Sequence, residues 1–192
     1  MNKKKFLIVE LEQGSTKWLE WRHHGIGASD APIIMGENPF KSYSQLLHEK
    51  RGPTRDSFKN AAMVRGTLLE PEARKRYIAK KGIHVNPVCL QSISYDWLRS
   101  SLDGLTLAHD AAVEIKCGQS VYRKAALSHT VPQYYYGQLQ HIMAITDFNE
   151  LDFFCYWPHY PELLLSVKRN EEYIKRLLDT EYKFWELVSK NA

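Results

Sequence analysis

The chain is poor in cysteine and has no long apolar run. Its three cysteines, Cys89, Cys117 and Cys155, are far apart, with no CxxC pair and no metal-finger spacing. That sets aside a disulfide framework and a zinc finger, and with them an iron–sulfur cluster, which usually takes four cysteines. Reduced thiols in a cytoplasmic protein are the simplest reading. No apolar stretch approaches the roughly 20 residues of a membrane span, so no membrane partner is expected. The opening "MNKKKFLIVELEQGS" carries basic residues and then only four apolar ones, short of the about 7–15 of a secretory signal. It reads as a first strand. Internal repeats and low-complexity tracts are also missing. What remains is ordinary for a globular chain: 192 residues, 44% hydrophobic, 25% charged, enough for one domain spanning 1–192. The net charge of +4 permits a polyanionic partner without demanding one.

Periodicity predicts a mixed α/β chain with a central mixed sheet flanked by helices. Helical patterns cover 15–24, "YSQLLHEKRG" stopping at Gly52, "AAMVRGTLLEPEARKRYIAKKG" ending at Gly82, "PQYYYGQLQHIMAIT", and the last twenty or so residues. Pro71 is expected to start a new helical stretch or bend the third. Strands are expected near 83–94, 97–103 and 111–117, with "LDFFCYW" and "LLLSVK" as a pair. Asp103 is placed before a turn at Gly104. Residues 50–60 read as a surface loop. Trp18, Trp21 and Trp185 read most simply as core or subunit-contact residues.

Two stretches carry chemistry. In "AAVEIKCG", Glu114 and Lys116 are two apart on a strand and share a face, while Val113, Ile115 and Cys117 point to the core. If 97–103 and 111–117 are neighbours, Asp103 lies beside Glu114. Two such carboxylates repel unless protonated or bridged by a cation, and hard divalent ions take oxygen ligands of this kind. Taken alone the triplet is also a solvated strand face with a cross-strand ion pair. In "WRHHGIGASD", an arginine, two glycines and a serine before a helix make a good phosphate site. Taken alone this too is a routine loop and helix cap.

The order of an upstream helix Glu70, then Asp103, then Glu114-x-Lys116 on a strand, then Gln138 on a following helix resembles the PD-(D/E)xK nuclease superfamily. More closely, it is similar to phage lambda-type alkaline exonucleases and YqaJ-type viral recombinases, over about 18–157. The resemblance implies a restriction-endonuclease-like fold and a two-metal centre. Asp103, Glu114, Glu70 and the carbonyl of Ile115 would hold Mg²⁺, with Mn²⁺ as a substitute. Lys116 would contact the attacking water, Gln138 would help hold that water or the phosphate, and Tyr135 matches an active-site tyrosine. Leu102 stands where the family pattern often has proline. Arg22, Ser29 and Ser101 match residues that receive a 5′-phosphate. Arg65, Arg74, Lys75 and Arg76, on or beside the Glu70 helix, read as DNA-phosphate contacts or as a solvated helix face. The implied activity is a Mg²⁺-dependent 5′→3′ exonuclease on double-stranded DNA ends that releases mononucleotides and leaves a 3′ single strand for phage-type recombination. A homotrimer ring, a single-strand annealing protein as partner, and a bacterial host cell with phage or prophage origin are implied with it. A restriction- or repair-type endonuclease, a non-catalytic DNA-binding module and a small-phosphoester hydrolase are the competing readings.

Overall fold

The computed structural model describes residues 5–54 and 61–190. Fifteen elements follow in chain order: β1 (Phe6–Val9), α1 (Thr16–His23), β2 (Ile26–Gly27), a 3-10 turn (Ala28–Asp30), α2 (Ala31–Ile34), α3 (Tyr43–Arg51), α4 (Ala61–Lys81), β3 (Val85–Ser92), β4 (Leu98–Thr106), β5 (Ala112–Lys116), α5 (Gln119–Ser128), α6 (Gln133–Thr146), β6 (Glu150–Cys155), β7 (Leu163–Lys168) and α7 (Glu171–Ser189). The seven strands form one mixed sheet ordered β1-β3-β4-β5-β6-β7, with the short β2 added parallel to β4. Most neighbours are antiparallel; β5 and β6 run parallel. Parallel neighbours need a long crossover, and here it contains α5 and α6. That connection lays α6 over the strand carrying Glu114 and Lys116.

Alternation along β5 divides the core. Val113 and Ile115 join Ala73 and Tyr77 of α4 with Val85 and Phe154 on one face. The opposite face packs Leu102, Phe153 and Cys155 against Leu46 of α3, Leu139, Ile142 and Met143 of α6, and Phe184 of α7. Leu139, Ile142 and Met143 are wholly buried, each contributing about 1.5–3 kcal/mol of hydrophobic stabilisation.

The predicted strands and helices are present, and their differences from expectation have physical causes. Helix α4 runs unbroken through Pro71. Packing of Ala73 and Tyr77 against the sheet outweighs the one backbone donor that proline removes. At Gly66 a Cβ would stand 3.3 Å from the Cys117 carbonyl, so the missing side chain lets α4 approach the end of β5. Gly104 is not a turn: β4 continues to Thr106. A Cβ there would lie 2.7 Å from both Val113 and Val85, so glycine serves close strand packing. At the start of α2 the Asp30 carboxylate turns back and accepts the Gly27 N–H, 3.0 Å away. The stretch 50–60 is not all loop, since Lys50 and Arg51 close α3, and 55–60 lie outside the described residues. Helix α5 and strand β2 are additions to the sequence reading.

Candidate functional site

Strand register builds the site. Gly104 pairs with Val113, which brings Asp103 up against Glu114. Instead of extending the ladder, Asp103 turns its carboxylate inward and accepts the Ile115 N–H at 2.7 Å. Glu114 is 2% exposed. Its Oε1 receives both Lys116 Nζ at 2.5 Å and Gln138 Nε2 at 2.6 Å. Its Oε2 is buried without a hydrogen-bond partner. A buried carboxylate oxygen left bare costs free energy unless something positive reaches it. The Lys116 ammonium also lies 4.8 Å from the centre of the Tyr135 ring.

The charges here are unbalanced. Burial, then the neighbouring charge of Glu114, pushes the Asp103 carboxyl well above its ordinary range, against the pull of Lys116. Burial alone would lower the Lys116 pKa, but Glu114, Tyr135 and Asp103 outweigh it and hold the ammonium charged. Burial also raises Glu70, helped by Glu114 and opposed by Arg74. Among the described residues, no three or more of His, Cys, Asp and Glu gather as a ready metal cluster. The reason lies in the side chains: Glu70 is engaged by Arg74, Asp103 by a backbone donor, and Glu114 by Lys116. The donor set still suits a hard cation, because the bare Glu114 oxygen and the raised Asp103 carboxyl are what a bridging divalent ion would relieve.

On sequence Arg74 reads as a residue of the Glu70 helix that faces DNA phosphates or solvent; the structure gives it another place. It binds Glu70 and donates to the Asp103 carbonyl at 2.6 Å, tying α4 to β4 beside the carboxylates. Only its place in space, one helical turn after Glu70, gives it that role.

The anion-cradle residues come together a short way along the same strand. Arg22 donates to the Ser29 hydroxyl at 2.8 Å, and its guanidinium lies 4.6 Å from the Trp18 ring centre. Trp18 in turn donates to the Ser101 hydroxyl at 2.8 Å. Ser101 and Asp103, two apart on β4, share a face. A single cleft of about 290 Å³ is lined by Arg22, Ser29 and Ser101 together with Asp103, Glu114, Lys116 and Gln138. Two clusters read separately in the sequence thus open into one space.

Four of the expected site residues do not line it. Glu70, Ile115 and Tyr135 flank the carboxylates, and Arg65 stacks on Trp157 at 4.4 Å. Trp18 and Trp21 do not join the core: both are half-buried and line the cleft. Helix α1 buries none of its residues, so its aromatic side chains are free to face the cleft. Gln13 and Arg99 also line it; Gln13 is fixed by the carbonyls of Val88 and Leu102, 3.3 and 3.0 Å away.

No described helix is long and apolar enough to cross a membrane. The protein YqaJ of Bacillus subtilis (strain 168) is 27% identical over 185 residues, covering 93% of this chain and 58% of that protein. Protein D345L of African swine fever virus (isolate Tick/South Africa/Pretoriuskop Pr4/1996) is 29% identical over 163 residues, 70% of this chain and 46% of that one. The chain therefore spans about half the length of the curated relatives it matches. The fold is shared with the crystal structure of LHK-Exo, an alkaline exonuclease from Laribacter hongkongensis, at a TM-score of 0.79 and 24% identity, covering 92% of this chain and 93% of that one. Residues 17–149 match the YqaJ-like viral recombinase domain, and the chain belongs to that family.

Proposed function

We propose that the protein is a metal-dependent nuclease that degrades one strand of duplex DNA from its 5′ end. The observation that carries this reading is the shared cleft: an acid–acid–lysine–glutamine set and an arginine–serine–serine cradle line the same about 290 Å³. A catalytic carboxylate pair alone fits many phosphodiesterases. An anion cradle on the same strand face fits an enzyme that measures its cut from a terminal phosphate.

Asp103 and Glu114, with Glu70 and the Ile115 carbonyl nearby, would hold Mg²⁺, and Mn²⁺ would serve in its place. An ion held there would supply Lewis acidity, to activate a water and to offset charge on the phosphate. The protein's own groups divide the rest. Lys116 is held charged at the edge of the carboxylates, where it orients the attacking water. Gln138 fixes Glu114 and offers an amide toward the same water or the scissile phosphate. Tyr135 offers its ring face to the Lys116 ammonium, 4.8 Å away, and limits where that ammonium can move. Arg22, Ser29 and Ser101 bind the terminal phosphate through a guanidinium and two hydroxyls, an arrangement suited to its shape and charge. Products are mononucleotides and a 3′ single strand. A homotrimeric ring and a single-strand annealing partner belong to the same reading. Arg65, stacked on Trp157, is the residue proposed to touch phosphates further along the duplex.

The test is digestion of linear and covalently closed circular duplex DNA in Mg²⁺, in EDTA, and with Lys116→Ala. The expected result is loss of linear DNA in Mg²⁺ only, absent in the variant, with the circle intact. Nicking of the circle would replace this reading with an endonuclease. No cleavage in Mg²⁺ or Mn²⁺ would leave a DNA-binding module.

A further inference from the structure

The phosphate cradle is held from behind by a buried ion pair that the sequence does not announce. Lys50 sits in the last turn of α3, yet it is 8% exposed. A lysine ammonium has three donors and no acceptor, and here all three are used. Lys50 Nζ meets the Arg22 carbonyl at 2.9 Å, the Gly25 carbonyl at 2.7 Å and Asp30 Oδ2 at 2.9 Å. Asp30 Oδ2 also accepts the Gly27 N–H at 3.0 Å. These contacts are spread over residues 22 to 30, the backbone that presents Arg22 and Ser29 to the cleft. The Arg22 carbonyl lies at the C-terminal end of α1, where a cation is favoured by the helix dipole.

The geometry points to Lys50 as a positioning residue for terminal-phosphate binding: with Asp30 it fixes the loop that sets Arg22 and Ser29 at the distance a phosphate needs. This rests on the proposal that the cleft receives a 5′-phosphate. A buried ion pair contributes little net stability, and apolar side chains of similar volume often replace one without loss. What a methionine could not supply is three directed donors on the backbone between α1 and the Ser29 turn. Lys50 itself does not line the cleft, so it acts through Arg22 and Ser29. Burial alone would raise the Asp30 pKa, but Lys50 and Arg22 outweigh it and keep the carboxylate charged.

The experiment uses the full chain with Lys50→Met combined with Asp30→Asn. The double change leaves no bare buried charge, and the substituted amide oxygen can still accept the Gly27 N–H, so the fold is expected to survive; thermal unfolding checks this. Initial rates are measured on duplexes with a 5′-phosphate or a 5′-hydroxyl, over a range of DNA concentration. Small misplacements of binding groups are costly, so KM for phosphorylated ends is expected to rise about tenfold or more. In contrast, kcat at saturation and KM for hydroxyl ends should hold within about threefold, because the carboxylate–lysine set is untouched. If the wild type favours phosphorylated ends and the double variant keeps its KM, the role given to Lys50 is wrong while the functional reading stands. If both ends lose rate in parallel, Lys50 acts on stability alone and the inference fails. If the wild type treats both ends alike, the phosphate reading fails, and the inference with it.

Discussion

Asp103→Asn should make the metal-free protein more stable and the enzyme inactive. Asp103 is half-buried beside Glu114, and its carboxylate accepts the Ile115 N–H at 2.7 Å. An asparagine oxygen can keep that bond, so the change removes charge while nearly preserving shape. Burial and the Glu114 charge raise the Asp103 pKa above its ordinary 3.8. The folded protein therefore holds a proton there more tightly than the unfolded chain, and stability is lost as pH rises above 3.8 through the raised value. Asparagine has no such loss. Relieving an uncompensated functional charge of this kind commonly yields about 0.5–2 kcal/mol. For a chain of this size each kcal/mol moves Tm by about 2–4 °C, so the variant should melt about 1–8 °C higher in EDTA at pH 8. Mg²⁺ tests the other half. A ligand that binds only the folded state adds about 2.7 kcal/mol at a hundred times its Kd. Wild type should gain that stabilisation and overtake the variant, which should gain little. Differential scanning calorimetry in EDTA and in graded Mg²⁺ reads both effects. A variant that melts lower in EDTA, or that gains as much from Mg²⁺ as wild type does, would refute the view of Asp103 and Glu114 as a pair awaiting a cation.

Other outcomes follow from single contacts. Gly104→Ala would drive a Cβ to 2.7 Å from Val113 and Val85; overpacking of this kind costs about 1–3 kcal/mol, readable in urea unfolding, and activity should fall further because β5 carries Glu114. Trp18→Phe removes the donor to Ser101 at 2.8 Å; a bond worth about 0.5–1.5 kcal/mol predicts KM for phosphorylated ends up by about two- to tenfold, and an unchanged KM would exclude Ser101 from the cradle. The buried pair His141 and Glu181, 2.7 Å apart, titrates upward at both members. Burial alone would lower His141, but Glu181 and the Arg99 carbonyl outweigh it, whereas for Glu181 burial outweighs His141 and raises it. Both shifts mean the folded state binds more protons, so the pair's contribution is present at lower pH and is lost as pH rises above 6.5 through the raised His141 value. Urea unfolding from about pH 6 to 9 should show that decline, and His141→Leu with Glu181→Leu should flatten it; a wild-type curve level over that range would contradict it.

The sequence was most legible where periodicity and chemistry coincide. Glu114 and Lys116 share a face because strands alternate, and Asp103 reaches Glu114 because β4 and β5 are consecutive antiparallel strands. Those inferences need only local pattern, and the geometry bears them out. The Gly104 turn failed because a glycine between strands looks the same whether it bends the chain or lets two valines approach. For Trp18 and Trp21 the core alternative rested on a large apolar indole; their position on a helix with no buried face sets it aside. The places of Lys50 and Arg74 were hidden for a third reason. Their partners lie 28 and 29 residues away, for Lys50 the Arg22 carbonyl and for Arg74 that of Asp103. Backbone acceptors carry no residue-type signal, so no pattern marks them.

The most direct test of the account is a linear duplex with a 5′-phosphate on one strand and a 5′-hydroxyl on the other, each labelled at its 3′ end. In Mg²⁺ the account predicts that the phosphorylated strand shortens from its 5′ end to mononucleotides while the hydroxyl strand persists, and that EDTA or Lys116→Ala stops both. Equal loss of both strands, or shortening from the 3′ ends, would contradict it.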